Sequence, residues 1–481
     1  MSISHSLSNA LSGLTATSRM AEVVSSNLSN VLTEGYGRRV VNLSAQDVGG
    51  RGAGVTIDGI SRVVDRTVLA ERRLADADLG RSITFAEALT SLESLIGKPD
   101  DPSSLAGRVA ALEASLASAA GDPTSDLFLS DALDKFKSVA KGLNEDQAGI
   151  SNLRQQADAD IADQVSQLNT SLKQIETLNA DITKAKAMGT DPSALMDQRQ
   201  VAIDKISAIV PVKELDRADG RIALMTVSGE MLIDGPAPTY EFAASGIIMP
   251  HMTLSAGMLS GITKDGVSMG ADGFGRLSGG SLEATFTLRD ETLVEAQTTL
   301  DALARDLLER FADPATDPTV GAGQPGLFTD AGLAFDPLDE VGLAGRIAVN
   351  PAVDPTQGGA LSRLRDGVGA TTAGPIGNAT QIDAWIGALS QSRTLSTGGT
   401  ASSFAGNVSK FASAISMSRV NADEEVAFSS ARWSTLREAE LADGVDTDQE
   451  MQMLLKIEQA YAANAKVVQT IDDMIRRLME I

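Results

Sequence analysis

The sequence of 481 residues contains no cysteine and only two histidines, His5 and His251. The absence of cysteine excludes a disulfide framework and any thiol chemistry. Two isolated histidines leave almost no basis for a histidine metal site. A Gly-x-Ser-x-Gly sequence occurs at 266–270, but the serine of such a motif needs a histidine later in the chain, and none follows Ser268. We therefore expect no enzyme activity, no metal and no cofactor.

Aromatic residues, basic residues and long apolar runs are also scarce. Two tryptophans, three tyrosines and twelve phenylalanines count against a glycan hydrolase, because such enzymes usually line the sugar site with aromatic rings. Forty basic against sixty-four acidic residues give a net charge of −24, which counts against nucleic acid or a membrane as a partner. No apolar run approaches the roughly 18 residues of a membrane span. The first residues also lack the pattern of a cleaved secretory signal, so an exported chain would need another route.

The last part of the chain, from Gly444 to Ile481, carries a heptad pattern. Its seam steps by three and four through Leu454, Ile457, Tyr461, Asn464, Val468, Ile471, Ile475 and Leu478. A second row at seven-residue spacing consists of Met453, Ala460, Val467, Met474 and Ile481. Three apolar or small positions in seven exceed the two that a two-stranded coiled coil needs. We therefore predict a helix that packs on more than one neighbour.

The first thirty residues carry a matching pattern. Steps of four and three connect Ile3, Leu7, Ala10, Leu14, Thr17, Ala21, Val24, Leu28 and Val31. Both helices would be ~45 Å long, and we predict that residues 1–34 and 444–481 pair as an inner coiled-coil domain. The first helix is rich in Ser, Asn and Thr, which disfavour helix interiors. We expect both ends to be disordered in the free protein and to fold on association.

Five polar or aromatic residues stand out within these terminal segments. Asn27 and Asn30 lie near the end of the first helix, and Tyr36 lies in a Gly-Tyr-Gly breaker. Tyr36 and Tyr461 are expected to be packing residues, at least in part. Asn464 occupies a seam position, where it can fix the helix register at some cost in stability. The alternative for Asn464 is a tolerated surface asparagine near a frayed end.

Short strands are predicted directly after the first helix. Arg39–Leu43 and Val55–Ile60 have strand character, and the glycines at 49–54 predict a turn between them. A long helix is then predicted from about Arg62 to Ile96, where Gly97 and Pro99 end it.

The central chain alternates between helical and strand periodicity. Residues 35–209 and 280–443 are predicted to form a long helical bundle with short β elements and a Pro/Gly-rich loop region at 313–380. Residues 210–279 change to a period of two and predict a small β-rich outer domain. The expected fold is therefore mainly α, elongated and multi-domain, with paired terminal helices at one end and the β domain at the far tip.

Several segments carry a family resemblance. SNLSNVLTEGYGRR (26–39) and GVDTDQEMQMLLKIEQAYAANAKVVQTIDDMIRRL (444–478) resemble the ends of the axial proteins of the bacterial flagellum, which include rod, hook and hook-associated proteins. LMDQRQVAIDKISAIVPV (195–212) and GGSLEATFTLRDETLVEAQTTLDALARDLLERF (279–311) resemble the hook-associated protein 1 family, the first junction proteins between hook and filament. GRIAVNPAVDP (345–355) is similar to the same family to a lesser degree.

The resemblance implies a structural adaptor that self-assembles through its terminal helices into a ring. Its implied neighbours are the hook protein and the second junction protein. It also implies an extracellular place in the flagellum, export through the flagellar type III apparatus without cleavage, and an export chaperone on the C-terminal helix. One alternative is a hook or rod subunit. Another is an exported glycan hydrolase with flagellar ends, since 64 acidic residues could bring two carboxylates together.

The expected assembly interface combines the two seams with the polar residues near the first helix end. Its members are Leu7, Leu14, Val24, Asn27, Leu28, Asn30, Tyr36, Leu454, Ile457, Tyr461, Asn464, Val468, Ile471, Ile475 and Leu478.

Overall fold

The computed structural model describes residues 3–47, 52–321, 323–395 and 399–479. The helices are α1 (Ile3–Ser29), α2 (Arg66–Ile96), α3 (Leu105–Gly121), α4 (Asp126–Ala187), α5 (Ser193–Ser207), α6 (Gly280–Thr287), α7 (Leu293–Ala312), α8 (Arg363–Asp366), α9 (Thr380–Ser390), α10 (Phe404–Ala442) and α11 (Thr447–Met479). The strands are β1 (Arg38–Asp47), β2 (Gly52–Val63), β3 (Val212–Asp216), β4 (Ile222–Thr226), β5 (Met231–Ile233), β6 (Tyr240–Glu241), β7 (Thr263–Lys264), β8 (Val267–Ser268), β9 (Phe328–Asp330) and β10 (Ile347–Val349). The predicted mainly helical, elongated fold with small β regions is confirmed.

Helix α4 is the spine of the molecule. Its 62 residues span about 93 Å at 1.5 Å per residue. The side chain of Ser125 caps its first turn by accepting a hydrogen bond from the Phe128 amide, and two lysines in its last turn complement the helix dipole. Gly189, with a φ of +69°, follows its C-terminus.

A first hydrophobic core surrounds the N-terminal half of α4. It joins this half to α3, α7, α9 and the beginning of α10. Four aromatic rings lie at its centre, where Phe311 packs on Phe136, Phe328 and Trp385 with centroids 5.2 to 5.5 Å apart. The Pro/Gly-rich residues 313–380 form loops and short 3₁₀ turns around this core, with only β9, β10 and α8 as regular elements beyond those turns among the described residues.

A second core surrounds the C-terminal half of α4 and explains the position of the β-rich segment. Residues 210–279 share this core with α4, α5 and α6. Asn169 on α4 exchanges two hydrogen bonds with the backbone of Tyr240, and Asn179 binds Ile222 in the same way. The expected position of this segment at a far tip is therefore wrong. Its strands are too short to build a separate core, and they bury their apolar side chains against the helix.

The loop region 313–380 lies at the opposite end of α4. Arg365 donates a hydrogen bond to the carbonyl of Pro123, directly before the helix begins. The order along α4 is therefore the terminal helices, then the β-rich segment, then the Pro/Gly-rich loops.

Helices α2 and α10 run antiparallel and lead the chain away from the terminal helices and back to them. Ser82 meets Ser429 at 3.1 Å, and Glu93 meets Arg419 at 2.7 Å. The helix predicted from Arg62 begins only at Arg66, because Arg62 belongs to strand β2 and Asp65 caps the helix through the amides of Thr67 and Val68.

Strands β1 and β2 form an antiparallel hairpin between α1 and α2. Arg38 pairs with Val63, and Val41 pairs with Ile60. Val55 of β2 donates its amide to the hydroxyl of Ser12 at 3.2 Å, so the hairpin lies on α1. The predicted strand pair is present, and the predicted turn at 49–54 lies partly outside the described residues.

Candidate assembly interface

The two terminal helices pack against each other in antiparallel fashion. Gly13 of α1 lies against Asn464 of α11. Asn27, near the C-terminal end of α1, contacts Glu450 near the start of α11. Helix α11 begins where Asp446 accepts hydrogen bonds from the amides of Asp448 and Gln449. We call α1, the β1–β2 hairpin, the segment 30–37 between them and α11 the terminal unit, and the remainder of the described chain the body.

The predicted interface residues divide into three groups by burial. Those buried in the helix pair and its surroundings are Val24, Asn27, Ile457 and Ile471. Those partly buried are Leu14, Leu28, Asn30, Tyr36, Leu454, Asn464 and Val468. Those exposed are Leu7, Tyr461, Ile475 and Leu478. The pairing of α1 with α11 therefore buries part of the seam, while Leu7, Ile475 and Leu478 near the helix ends and Tyr461 in the middle of α11 remain open.

Asn464 fits into a notch that only glycine leaves free. A Cβ added to Gly13 would lie 2.7 Å from Asn464 Nδ2 and 2.9 Å from its Cγ. Such distances are far inside van der Waals contact. The polar seam residue is therefore matched in size by the smallest residue on the opposing helix.

Asn27 organises a buried polar cluster at the other end of the pair. Its Nδ2 donates to the Arg39 carbonyl at 2.9 Å and to Glu450 Oε2 at 3.1 Å. Its Oδ1 accepts from the Arg39 amide at 3.0 Å and from the Tyr36 hydroxyl at 2.9 Å. Arg38 Nε donates to Glu450 Oε1 at 2.7 Å. These bonds join α1, the hairpin and α11 in one network, which fixes their relative positions.

Glu450 is a central residue that the sequence analysis missed. Only 1% of its surface is exposed, and its carboxylate bridges Asn27 and Arg38. It lies four residues before Leu454 and so continues the seam by one step. A charged residue at a seam position was the signal that could have identified it, because a buried charge requires a partner.

Apolar side chains remain exposed on both terminal helices. In the described residues they include Leu7, Leu11, Met451, Leu455, Tyr461, Val467, Met474, Ile475, Leu478 and Met479. Leu11 is 60% exposed and Leu478 is 62% exposed. We call this set, which includes seam positions that the helix pair leaves open, the outer face. Ile481, the last member of the predicted second row, lies outside the described residues. Exposed apolar surface of this extent is typical of an interaction site.

The terminal unit meets the body at helix α5. Asp197 accepts hydrogen bonds from the Gly37 amide at 3.0 Å, from Arg39 Nη2 at 3.0 Å and from Arg62 Nε at 2.6 Å. Gln200 accepts another hydrogen bond from Arg62 and donates to Glu440 Oε1 of α10 at 3.1 Å.

The described residues contain no cluster of three or more His, Asp or Glu side chains arranged to hold a metal ion. No helix in the described ranges is long and apolar enough to cross a membrane.

Comparison with known proteins gives matches at both ends and in the middle of the chain. The family model for the flagellar hook-associated protein FlgK helical domain matches residues 89–326. The model for the C-terminal part of flagellar basal body rod FlgEFG proteins matches residues 442–481, and the flagella basal body rod protein model matches residues 7–36.

Individual relatives carry the same family description. Flagellar hook-associated protein 1 of Bacillus subtilis (strain 168) is 23% identical and aligns with 98% of this chain and 97% of its own length. The protein of the same description from Salmonella typhimurium (strain LT2) is 26% identical over 53% of this chain and 50% of its own. The solved structure of the flagellar hook junction protein FlgK from Burkholderia pseudomallei has 22% identity and a TM-score of 0.45, covering 54% of this chain and 46% of that one. The helical-domain model and the similarity over 98% of the chain identify this chain as a member of the flagellar hook-associated protein 1 family.

Proposed function

We propose that this protein is a structural adaptor at the junction between flagellar hook and filament, and that its terminal unit is the part that assembles. The single observation that carries this proposal is the set of apolar side chains that the terminal helices leave exposed after they pair. Seam residues such as Ile457 and Ile471 are buried within the chain, whereas the residues of the outer face are exposed in the single chain. Burial of about 25 cal/mol per Å² of apolar surface would favour packing of that face on neighbouring subunits.

The assembled form that best fits the outer face is a ring of identical chains. Helices α1 and α11 both contribute exposed apolar side chains, so each copy could contact a neighbour on more than one side. The hook protein and the second junction protein would adjoin the ring on its two sides. Association with the hook and other flagellar components follows from the family, and the second junction protein is part of our proposal. We assign the outer face to the contacts between copies.

Family membership places this structural protein in the flagellum, outside the cell body. We propose that it leaves through the flagellar type III apparatus, unfolded and without a cleaved signal. The absence of cysteine supports this route, because no disulfide has to be made or broken on the way. Before export, an apolar α11 without its partners would promote aggregation, so we further propose a chaperone that covers it in the cytoplasm.

A deletion in the source bacterium tests the proposal. Cells without this chain should build hooks of normal length but carry no attached filaments, and they should release filament protein into the medium. Loss of the hooks themselves would contradict the junction role and favour a hook or rod subunit. Degradation of purified peptidoglycan by the protein would favour the glycan hydrolase instead.

Complementation with point variants tests the outer face. Leu478→Asp places a charge on an apolar position that is 62% exposed in the single chain, and it should restore few attached filaments. The matched control is Arg476→Asp, two residues away, where the native side chain is 73% exposed and pairs with Asp472 on the same helix. Equal filament attachment by the two variants would show that the outer face has no role in assembly.

A further inference from the structure

The joint between the terminal unit and the body contains little besides one face of α5. Asp197, Gln200 and Val201 have helical spacings of three and four, so they lie on the same side of α5. This side meets the hairpin of the terminal unit. The chain itself crosses the joint twice, at Val64 between β2 and α2 and at 443–446 between α10 and α11.

Asp197 accepts hydrogen bonds from three points at the base of the hairpin. The Gly37 amide directly precedes β1, Arg39 lies near the start of β1, and Arg62 lies near the end of β2. Its side chain is only 12% exposed, and the two arginine side chains are 16% and 15% exposed. Partly buried, charge-assisted hydrogen bonds of this kind are stronger and more directional than neutral ones.

Neighbouring contacts restrict the same joint. Gly35 has a φ of +72° and approaches α5 so closely that a Cβ there would lie 2.5 Å from Val201 Cγ2. Arg62 also donates to the Gly35 carbonyl at 3.0 Å and to Gln200. Because Gln200 donates to Glu440, the network continues onto α10, the helix that leads back into the terminal unit.

We infer that Asp197 is the positioning residue that sets the angle between the terminal unit and the body. Both strands of the hairpin are held by one carboxylate, so a change at this position releases both together. The inference deepens the proposed adaptor function, because a junction protein needs a defined direction between its inner and outer parts. The purpose of a fixed angle rests on the proposed function, whereas the contacts of Asp197 do not depend on it.

Distance measurement between two spin labels tests the inference on the full chain in its assembled form, with labelled copies diluted by unlabelled ones. The sequence has no cysteine, so Thr56→Cys on β2 and Lys205→Cys on α5 create two unique labelling sites, and both native side chains are exposed. With Asp197 intact, pulsed electron double resonance should give one narrow distance distribution. With Asp197→Asn, which keeps the size but removes the charge, the distribution should become at least twofold wider.

A second variant and a matched control separate positioning from general damage. Arg62→Gln removes the main donor from the hairpin side and should widen the distribution to the same degree. Asp216→Asn removes a carboxylate that pairs with Arg66 inside the body and should leave the distribution narrow. Circular dichroism of all variants should show unchanged helix content.

A narrow distribution in both Asp197→Asn and Arg62→Gln would overturn the inference, as would a broad one in the chain with Asp197 intact. Either result would leave the adaptor function standing, because filament attachment is measured separately in cells. Conversely, a hook-deficient deletion strain would refute the adaptor function without changing the measured joint.

Discussion

Replacing Gly13 by alanine should weaken the pairing of α1 with α11 in the native chain and strengthen it when Asn464 is also replaced by alanine. The reason lies in two opposing effects at one position. Alanine is a better helix former than glycine by about 0.8–1 kcal/mol. In the native chain, however, the new methyl group would lie 2.7 Å from Asn464 Nδ2 and 2.9 Å from its Cγ and Oδ1.

The steric effect decides the sign in the native background. Overpacking of an ordered interface costs roughly 1–3 kcal/mol. After the gain in helix propensity is subtracted, Gly13→Ala should weaken the pairing of the two helices by up to about 2 kcal/mol. With Asn464→Ala the three clashing atoms are absent, and the same substitution should gain about 1 kcal/mol. The double-mutant cycle should therefore give a coupling free energy of roughly 1–3 kcal/mol.

Two assays read out this cycle. The fraction of hooks that carry filaments reports assembly in cells. Amide hydrogen exchange of α11 in the assembled protein reports pairing, because each loss of 1.4 kcal/mol in pairing free energy should raise the exchange rate about tenfold. Asn464→Leu is a useful fourth variant, because leucine should keep α11 at least as helical but does not fit the notch at Gly13. An effect of Gly13→Ala with the same sign and size in both backgrounds would refute the matched notch and the role of Asn464 in setting the register.

Three further predictions concern stability, disorder and the chaperone. Burial raises the pKa of Asp146 to about 7, above its unfolded value of 3.8. The contribution of Asp146 to stability is therefore fully present below pH 4 and is lost as the pH rises through 7. Thermal unfolding should show that Asp146→Asn is as stable as the native chain below pH 4 and more stable than it at pH 8, by up to about 4 kcal/mol. In the free monomer, residues 1–30 and 450–481 should exchange amide hydrogens quickly while α4 stays protected, and slow exchange at both ends would contradict folding on association. Calorimetry should show that Leu478→Asp weakens chaperone binding by ~10²–10³-fold, because an unpaired charge in the bound interface costs roughly 3–5 kcal/mol, and that Arg476→Asp changes the binding little. Normal chaperone binding by Leu478→Asp would assign the chaperone contacts and the assembly contacts to different faces.

The heptad spacing at both ends was sufficient to predict α1 and α11, because a sustained 3.5-residue pattern has few other structural solutions. It also marked Ile457 and Ile471, which are buried, and Leu454 and Val468, which are partly buried. The pattern could not say that Leu478 stays exposed. Periodicity identifies the side of a helix that is apolar but not how far along its length a partner covers it.

The polar network of the joint was beyond sequence reasoning for a different reason. Asp197 and Arg62 are far apart in the chain, and charged residues on helices and strand ends are most often solvated. Their burial follows from the way α5 and the hairpin meet, which local patterns do not encode. The predicted location of residues 210–279 was wrong for a similar reason, since a period of two predicts strands but not the helix on which they pack.

Antiparallel pairing of α1 with α11 brings together Asn27 and Glu450, which are 423 positions apart in the chain. A chain interrupted before Asn464 would have a first helix whose notch and polar cluster both lack their counterparts. The terminal unit can thus be completed only by a molecule that has been synthesised and delivered through its final helix. In the assembly proposed above, a copy that lacks its final helix should therefore not be incorporated, because it cannot form the terminal unit.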